Sequence, residues 1–328
     1  MPEIAGVAIT HPEKLMFPER GITKLQLAEY YESVADRMLP HIQGRPLTLV
    51  FCPKGVDEGC QYLRHSKVWG PKAIRRVKIK EKTKIGEYMI VDSIQGLISL
   101  IQMNVLEAHT WNSTIEHIER PDRLVFDLDP GAHITWPQVI EAAHLVRSVL
   151  QALNLEAWVK TTGGRGLHVV VPIVPARDWS DCLEFARGLA EVFVQRDAAR
   201  YTTDFRKAGR ASKILVDYLR NNRTNTSICA FSVRAREGAP VSMPIDWKEL
   251  SASARPDRFT VQTAGAYLAR RRADPWSGYW TARQRLTAAA FAALNAMRSS
   301  AGGVIDDDDA PAARASRSNA GARRLHSR

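Results

Sequence analysis

Cysteine is scarce in this 328-residue chain: the four stand at Cys52, Cys60, Cys182 and Cys229. None forms a Cys-x-x-Cys pair, and no Cys/His set has zinc-finger spacing, which excludes a structural zinc module. We read all four as reduced thiols of a cytoplasmic protein. Long apolar runs are also missing. None approaches the ~20 residues of a membrane span, and Met1-Pro2-Glu3-Ile4 lacks the charged-then-apolar layout of a secretory signal. No internal repeat is present. Acidic residues are in deficit, with 35 Asp and Glu against 46 Lys and Arg, for a net charge of +11. Such a balance favours a polyanionic partner, nucleic acid or nucleotide. With no spanning segment, a membrane is the poorer explanation.

What is present is ordinary for a folded chain: 45% hydrophobic and 25% charged residues. The length suits one large domain or two lobes around a sizeable core. The chain turns on Arg123-Leu-Val-Phe-Asp-Leu-Asp-Pro-Gly131, a short strand ending in a turn. Strand side chains alternate, so Asp127 and Asp129 share a face. Two carboxylates so placed repel unless a cation sits between them. A pair of Mg²⁺ or Mn²⁺ ions would serve, as in phosphoryl transfer. The plain alternative is one capping and one solvated Asp. A second apolar strand, Lys213 to Leu219, carries Asp217 where a third carboxylate would complete a two-metal site.

Thr161-Thr-Gly-Gly-Arg-Gly-Leu-His168 is the second constellation. Gly163, Gly164 and Gly166 let a backbone approach phosphates closely. Thr162 adds a hydroxyl, Arg165 a fixed cation and His168 a donor. It is not a Walker A loop, which ends in Gly-Lys-Ser/Thr. A glycine-rich turn between strands is the plain alternative. Phe231 to Arg236 reads as a short strand whose Arg234 meets either a triphosphate or solvent.

The remaining candidates are basic or aromatic. Lys14 and Lys24 flank a helix capped by Thr23, where a phosphate would be well received. Leu47-Thr-Leu-Val-Phe51 is a strand. After it, Tyr62 among Gln61, Arg64 and His65 is the kind of platform on which a base stacks while cations hold the backbone. Residues 72–84 hold seven Lys or Arg, in part alternating as in a strand or hairpin. Tyr88 to Val91 is a strand. Ser93 or Asp92 then caps a helix bearing Ile94, Leu97, Ile98, Ile101 and Val105. His109 stands alone, as structural histidines often do. Residues 136–153 and 180–196 are helical, and Arg220 opens a polar, basic stretch. From about 287 an Ala-rich helical piece precedes Gly302-Gly303, an Asp run at 306–309 and a Ser/Arg/Ala-rich end. We take 1–287 as the folded domain and 288–328 as a disordered basic tail.

Together these segments resemble the polymerase domain of bacterial ligase D, in the archaeo-eukaryotic primase superfamily. The carriers are Val125-Phe-Asp-Leu-Asp-Pro-Gly131, Thr162-Gly-Gly-Arg-Gly-Leu-His168, Leu215-Val-Asp-Tyr-Leu-Arg-Asn221, and Ser232-Val-Arg-Ala-Arg236 with Ala239-Pro-Val-Ser242. The likeness runs from about residue 6 to 286. It implies an α+β fold: a primase-type core with an RRM-like β-sheet and a second adjoining α/β lobe. It implies template-directed nucleotidyl transfer in double-strand break repair by end joining, with Mn²⁺ or Mg²⁺, nucleoside triphosphates, DNA, and Ku and a DNA ligase as partners. Asp127, Asp129 and Asp217 match the metal-binding triad. Thr162, Arg165, Gly166 and His168 fall in the nucleotide-phosphate motif, Arg234 matches a triphosphate-contacting arginine, and His109 a histidine near the incoming nucleotide. Lys14 and Lys24 match residues that grip a 5′-phosphate across a gap. Tyr62, Arg64 and Arg220 complete the DNA-facing set. Thr162 stands where the family has Ser, and Arg165 often where it has Lys. Gln61-Tyr62 replaces paired aromatics, and His11 an Asn near the 5′-phosphate. No stretch resembles ligase or phosphoesterase domains. A primase starting chains de novo and a non-catalytic DNA-end-binding module are the alternatives. A metal-dependent nuclease would have no need of the glycine-rich motif.

Overall fold

The computed structural model describes residues 1–65, 70–206, 208–251, 255–271 and 273–301. Two short ribbons open the chain: β1 (Glu3–Ile4) pairs with β2 (Val7–Ala8), and β3 (Leu15–Phe17) with β4 (Ile22–Thr23). Helix α1 (Lys24–Ser33) starts where its cap predicts. Thr23 accepts from the Gln26 amide at 3.2 Å, and the Gln26 side chain accepts from the Thr23 amide at 2.9 Å. Then come α2 (Ala35–Ile42), β5 (Leu47–Phe51), β6 (Gln61–Leu63), the hairpin β7 (Ile74–Lys80) and β8 (Ile85–Val91), α3 (Ile94–Gln102) and β9 (Val105–Thr110). The second half supplies β10 (Arg123–Pro130), α4 (Trp136–Ala152), β11 (Trp158–Thr161), β12 (Leu167–Pro172), α5 (Trp179–Arg196), β13 (Tyr201–Thr202), β14 (Ile214–Asp217), β15 (Ser227–Ile228), β16 (Pro244–Ile245), α6 (Val261–Ala269) and α7 (Ala288–Ala301).

Two sheets organise these elements: six strands in the order β13-β14-β10-β12-β11-β16, and four in the order β15-β9-β5-β6. Alternation along β10 decides which face is covered. Leu124, Phe126 and Leu128 enter the main core with Val169 and Val171 of β12, Val146 of α4 and Phe185 of α5. On the other face Val125 and Val170 pack on Trp276 and Tyr279. Further along that face the residues become Asp127 and Asp129. The polar end of an otherwise apolar strand face is where the site forms.

Four expectations are corrected. Cys52 and Cys60 are not reduced thiols but a disulfide. β5 and β6 are antiparallel with Phe51 opposite Gln61, so 52 and 60 are the next pair across the ladder. Val105 does not continue the preceding helix. Asn104 takes a left-handed φ of 61°, ends it, and releases Val105 into β9. Phe231 to Arg236 is no strand. Phe231 has φ 66°, and only Val233 bridges, to Val241. The folded part also passes residue 287: α7 buries Ala290 and Leu294, and Phe291 meets Phe185 edge-to-face at 5.3 Å. Residues 302–328, the rest of the expected tail, lie outside the described residues. Among the described residues no helix is long and apolar enough to cross a membrane.

Candidate active site

Strand register assembles the acidic centre. β10 lies between β12 and β14, antiparallel to both, with Asp127 opposite His168 on one side and Asp217 on the other. His168 is in turn opposite Lys160 of β11. Cross-strand partners share a face. Asp217, Asp127, His168 and Lys160 therefore form one row across four strands, with Asp129 two residues along on the same face.

Cations already hold this row together. Arg220 Nε lies 3.1 Å from Asp127 Oδ2 and 3.0 Å from Asp217 Oδ2. His168 Nε2 is 3.5 Å from Asp127 Oδ1, and Arg210 Nη2 donates to Asp129 Oδ2 at 3.0 Å. Burial opposes the charge of Asp127, yet His168 and Arg220 outweigh it and hold the carboxyl well below its usual range. Asp129 is raised, by burial and then by Asp127. Asp217 is pushed up to about 6, chiefly by burial, against the pull of Arg220. Burial and nearby Lys160 lower His168 to about 4, so its imidazole is neutral, and its buried Nδ1 has no hydrogen-bond partner among the described residues.

Arg220 is aimed by its neighbour. The Asn221 side chain accepts from the Val125 amide and donates to the Val125 carbonyl, each at 2.8 Å, standing in for a strand beside β10. Sequence reading missed Asn221, because its role depends on which strand edge lies beside it, which the sequence does not show. It also missed Glu107. This buried carboxylate accepts from His109 Nε2 at 2.7 Å and from the Ala235 amide at 2.7 Å, and it sits 3.0 Å from Arg234 Nε. Burial works against its charge, but His109 and Arg234 prevail and hold it at about 2. Arg234 Nη1 also donates to the Thr162 carbonyl at 2.9 Å, which ties it to the glycine turn.

That turn needs its glycines. Gly163 has φ +66°, and a Cβ at Gly166 would lie 2.3 Å from the Leu128 carbonyl oxygen of β10. Thr162 hydroxyl closes the turn on the Gly166 carbonyl at 3.2 Å. Arg165 is turned toward the loop after β10, donating to the carbonyls of Gly131, Ala132 and Ile134 at 3.1 to 3.2 Å.

One cavity of about 410 Å³ gathers most of the candidates: Asp127 and Asp129, the turn residues Thr162, Arg165, Gly166 and His168, and the cations Arg220 and Arg234. His109 lines it too, and so do Tyr62 and Arg64 of β6. Tyr62 is 74% exposed, an open ring rather than a packed one. Asp217 does not line it; it stands opposite Asp127 and against Arg220, which do. Lys14 and Lys24 are brought near each other but not to this cavity. Lys14 Nζ donates to the Pro53 carbonyl, and Lys24 Nζ to the Gln102 carbonyl at 2.7 Å. Lys24 is buried, and burial with nearby Lys14 lowers it to about 8.

As they stand, no three His, Cys, Asp or Glu side chains among the described residues are gathered closely enough to hold a metal ion. The donor set nonetheless fits one. Three carboxylates supply hard oxygen ligands of the kind Mg²⁺ and Mn²⁺ take. The Arg220 guanidinium marks where positive charge is already accommodated between two of them.

Residues 23–276 match the family model described as LigD, primase-polymerase domain. The multifunctional non-homologous end joining protein LigD of Pseudomonas aeruginosa is 34% identical over 294 residues, covering 87% of this chain and 34% of that protein. The bifunctional LigD of Bacillus subtilis is 25% identical over 255 residues, covering 77% and 41%. This chain thus spans about a third of the length of the first of these relatives. Among solved structures, the polymerase domain from Mycobacterium tuberculosis ligase D in complex with DNA matches with a TM-score of 0.76 and 30% identity, over 80% of this chain and 94% of that one. The α+β fold is that of this domain.

Proposed function

The chain belongs to the LigD primase-polymerase family, and we propose that it is a template-directed nucleotidyltransferase that extends a primer strand across gaps and broken ends during non-homologous end joining. The observation that carries this reading is the row Asp217–Asp127–His168. Asp127 and His168 of this row line the same cavity as the glycine turn and Arg234. An acidic centre beside a phosphate cradle is what nucleotidyl transfer requires.

Asp127, Asp129 and Asp217 are the residues that would hold two Mn²⁺ or Mg²⁺ ions. When bound, such ions lower the pKa of a primer 3′-hydroxyl and offset charge on the leaving pyrophosphate. The chain's own residues do the rest. Thr162, Gly166 and the amides of the turn receive the triphosphate, with Arg165 swinging in from the loop after β10. Arg234, steadied by Glu107, faces the charge that builds on the phosphates, joined by His168 once phosphate charge beside its unpartnered Nδ1 favours a second ring proton. His109, fixed by Glu107, borders the nucleotide. Arg220 supplies the counter-charge between Asp127 and Asp217, and with ions held there its guanidinium would be available to nucleic acid. Tyr62 stacks on a base and Arg64 takes a phosphate. Lys14 and Lys24 hold a 5′-phosphate at the far side of a gap, once Lys24 is freed from Gln102. Around this core we place the rest of the reading: a primase-type centre with an RRM-like sheet, and Ku and a DNA ligase as partners at the break.

Primer extension on a gapped duplex bearing a 5′-phosphate tests the proposal, with ribo- and deoxynucleotides and with Mg²⁺ and Mn²⁺ compared. Extension that copies the template supports it. No extension under any combination removes it. Synthesis from two free nucleotides without a primer would shift the reading to a primase.

A further inference from the structure

We propose that the Cys52–Cys60 disulfide is a positioning element for Tyr62 and Arg64, so that the hold on nucleic acid follows the oxidation state of this pair. The proposal rests on the polymerase reading only in taking nucleic acid as what Tyr62 and Arg64 meet.

The two halves of the Cys52–Cys60 loop are anchored very differently. On the Cys52 side the Cys52 amide donates to the Asn104 carbonyl at 2.9 Å, the Val56 amide to Met16 at 2.9 Å, and Lys14 to the Pro53 carbonyl. Gly55 is pressed against this surface, where a Cβ would lie 2.8 Å from the Leu15 carbonyl. Among the described residues, 57–60 have no backbone hydrogen bond of this kind; Cys60 meets the fixed side through its sulfur and its packing on the core. β6 follows at once. It is three residues long and, among the described residues, stands at the edge of its sheet and pairs only with β5. Within β6 the Leu63 side chain packs on the main core, and downstream His65 Nε2 lies 2.6 Å from Glu81. Tyr62 and Arg64 thus flank the packed Leu63 between a covalent clamp and a hydrogen-bonded one, and both line the cavity.

A chain that works on DNA works where thiols are kept reduced, and disulfides there are mostly transient or sensing. Cys52 is fully buried while Cys60 is partly open, so a dithiol reductant attacks Cys60 Sγ. The bond between the cysteine sulfurs breaks, Cys52 leaves as a thiolate and takes a proton, and the reductant's second thiol then displaces Cys60. Two electrons and two protons reach the protein, and the reductant becomes a disulfide. The short edge strand then keeps its ladder, the packing of Leu63 and the His65 contact but loses the covalent tie at its start, and Tyr62 loses its fixed attitude.

The experiment uses the full chain in an oxidised and a dithiothreitol-reduced form. Thiol titration in denaturant should count two thiols, Cys182 and Cys229, in the first and four in the second. Anisotropy with a labelled gapped duplex should show weaker binding after reduction, about 5-fold or more, the lower end of a lost base stack. In extension assays the KM for primer-template should rise while kcat and the nucleotide KM stay put. Cys60→Ser should bind like the reduced form under both conditions, and Tyr62→Ala should erase the difference. Equal affinity in the two states, or four thiols in protein never exposed to reductant, overturns the proposal. Absence of extension in both states would instead count against the polymerase reading, with the anisotropy difference still deciding this one.

Discussion

Asp127 and Asp217 stand directly opposite each other on adjacent antiparallel strands, and one guanidinium, Arg220, touches both. Side by side, two buried carboxylates are costly. The protein splits the burden unevenly, driving Asp127 down and Asp217 up to about 6. Asp217→Asn keeps the shape and, through its remaining oxygen, the 2.9 Å bond from the Leu219 amide. It should cut extension more than about 100-fold, since even outer partners of a metal site are worth 10- to 100-fold. The sign for stability is opposite. A carboxyl whose folded pKa is raised costs stability above about 6 and is relieved as pH falls toward 3.8. In EDTA at pH 7.5 the Asn variant should therefore melt higher than wild type, by roughly 1–3 kcal/mol. Retained activity would remove Asp217 from the centre.

Arg220→Gln leaves the two carboxylates facing each other without their cation. Breaking a buried pair costs about 3–5 kcal/mol. Arg220 keeps 37% of its side-chain surface in solvent, so about 1–3 kcal/mol is expected. The loss should appear as a lower melting temperature in EDTA and be recovered on adding Mn²⁺. Wild type should gain less than the variant on adding Mn²⁺, because its own guanidinium already offsets the two carboxylates. A variant that stays destabilised in Mn²⁺ would mean that the carboxylates do not take the ion.

The strands bearing Asp127 and Asp217 were legible because apolar runs closed by Asp-Pro-Gly or by polar residues announce themselves. Their register was not, since nothing in Leu215-Val-Asp217 says which strand lies beside it. Glu107 escaped notice for a related reason: two residues before His109 on β9, it shares a face with it, and that stretch was not read as a strand. The disulfide was hidden because its spacing fits no motif; only the hairpin brings 52 and 60 face to face. Lys14 and Lys24 were found near each other, but sequence gave no sign that Lys24 would be buried against Gln102.

Glu107 makes an acid-labile contribution. Its folded pKa of about 2 lies below the ordinary 4.5. A depressed carboxyl adds stability that is present in full above 4.5 and lost as pH falls through the folded value. The unfolded chain binds the extra proton in that window, so stability rises with pH across it. The lost contribution amounts to about 3 kcal/mol at most. Denaturant melts of wild type and Glu107→Gln from pH 7 to 2.5 should show wild type ahead at neutrality, with its lead shrinking below 4.5. The variant should also raise the nucleotide KM, because Arg234 loses its brace. A constant lead across the range would show that Glu107 is not held charged by His109 and Arg234.

Tyr62 offers the sharpest separation between holding DNA and holding nucleotide. Its ring is 74% exposed at the cavity's edge, on a strand held by its backbone ladder and by Leu63 rather than by the ring. Removing an exposed ring takes little from the core, so Tyr62→Ala should melt within about 0.5 kcal/mol of wild type. A stacked base contributes about 1–3 kcal/mol. The affinity for a gapped duplex should then fall about 5- to 100-fold, while kcat at saturating DNA and the nucleotide KM hold. Tyr62→Phe keeps the π-face and should bind nearly as wild type does. Tyr62→Trp, with a broader face, should bind at least as tightly. If Ala and Phe are equally impaired, the hydroxyl and not the ring makes the contact; if neither is impaired, nucleic acid passes elsewhere and the cavity serves the nucleotide alone.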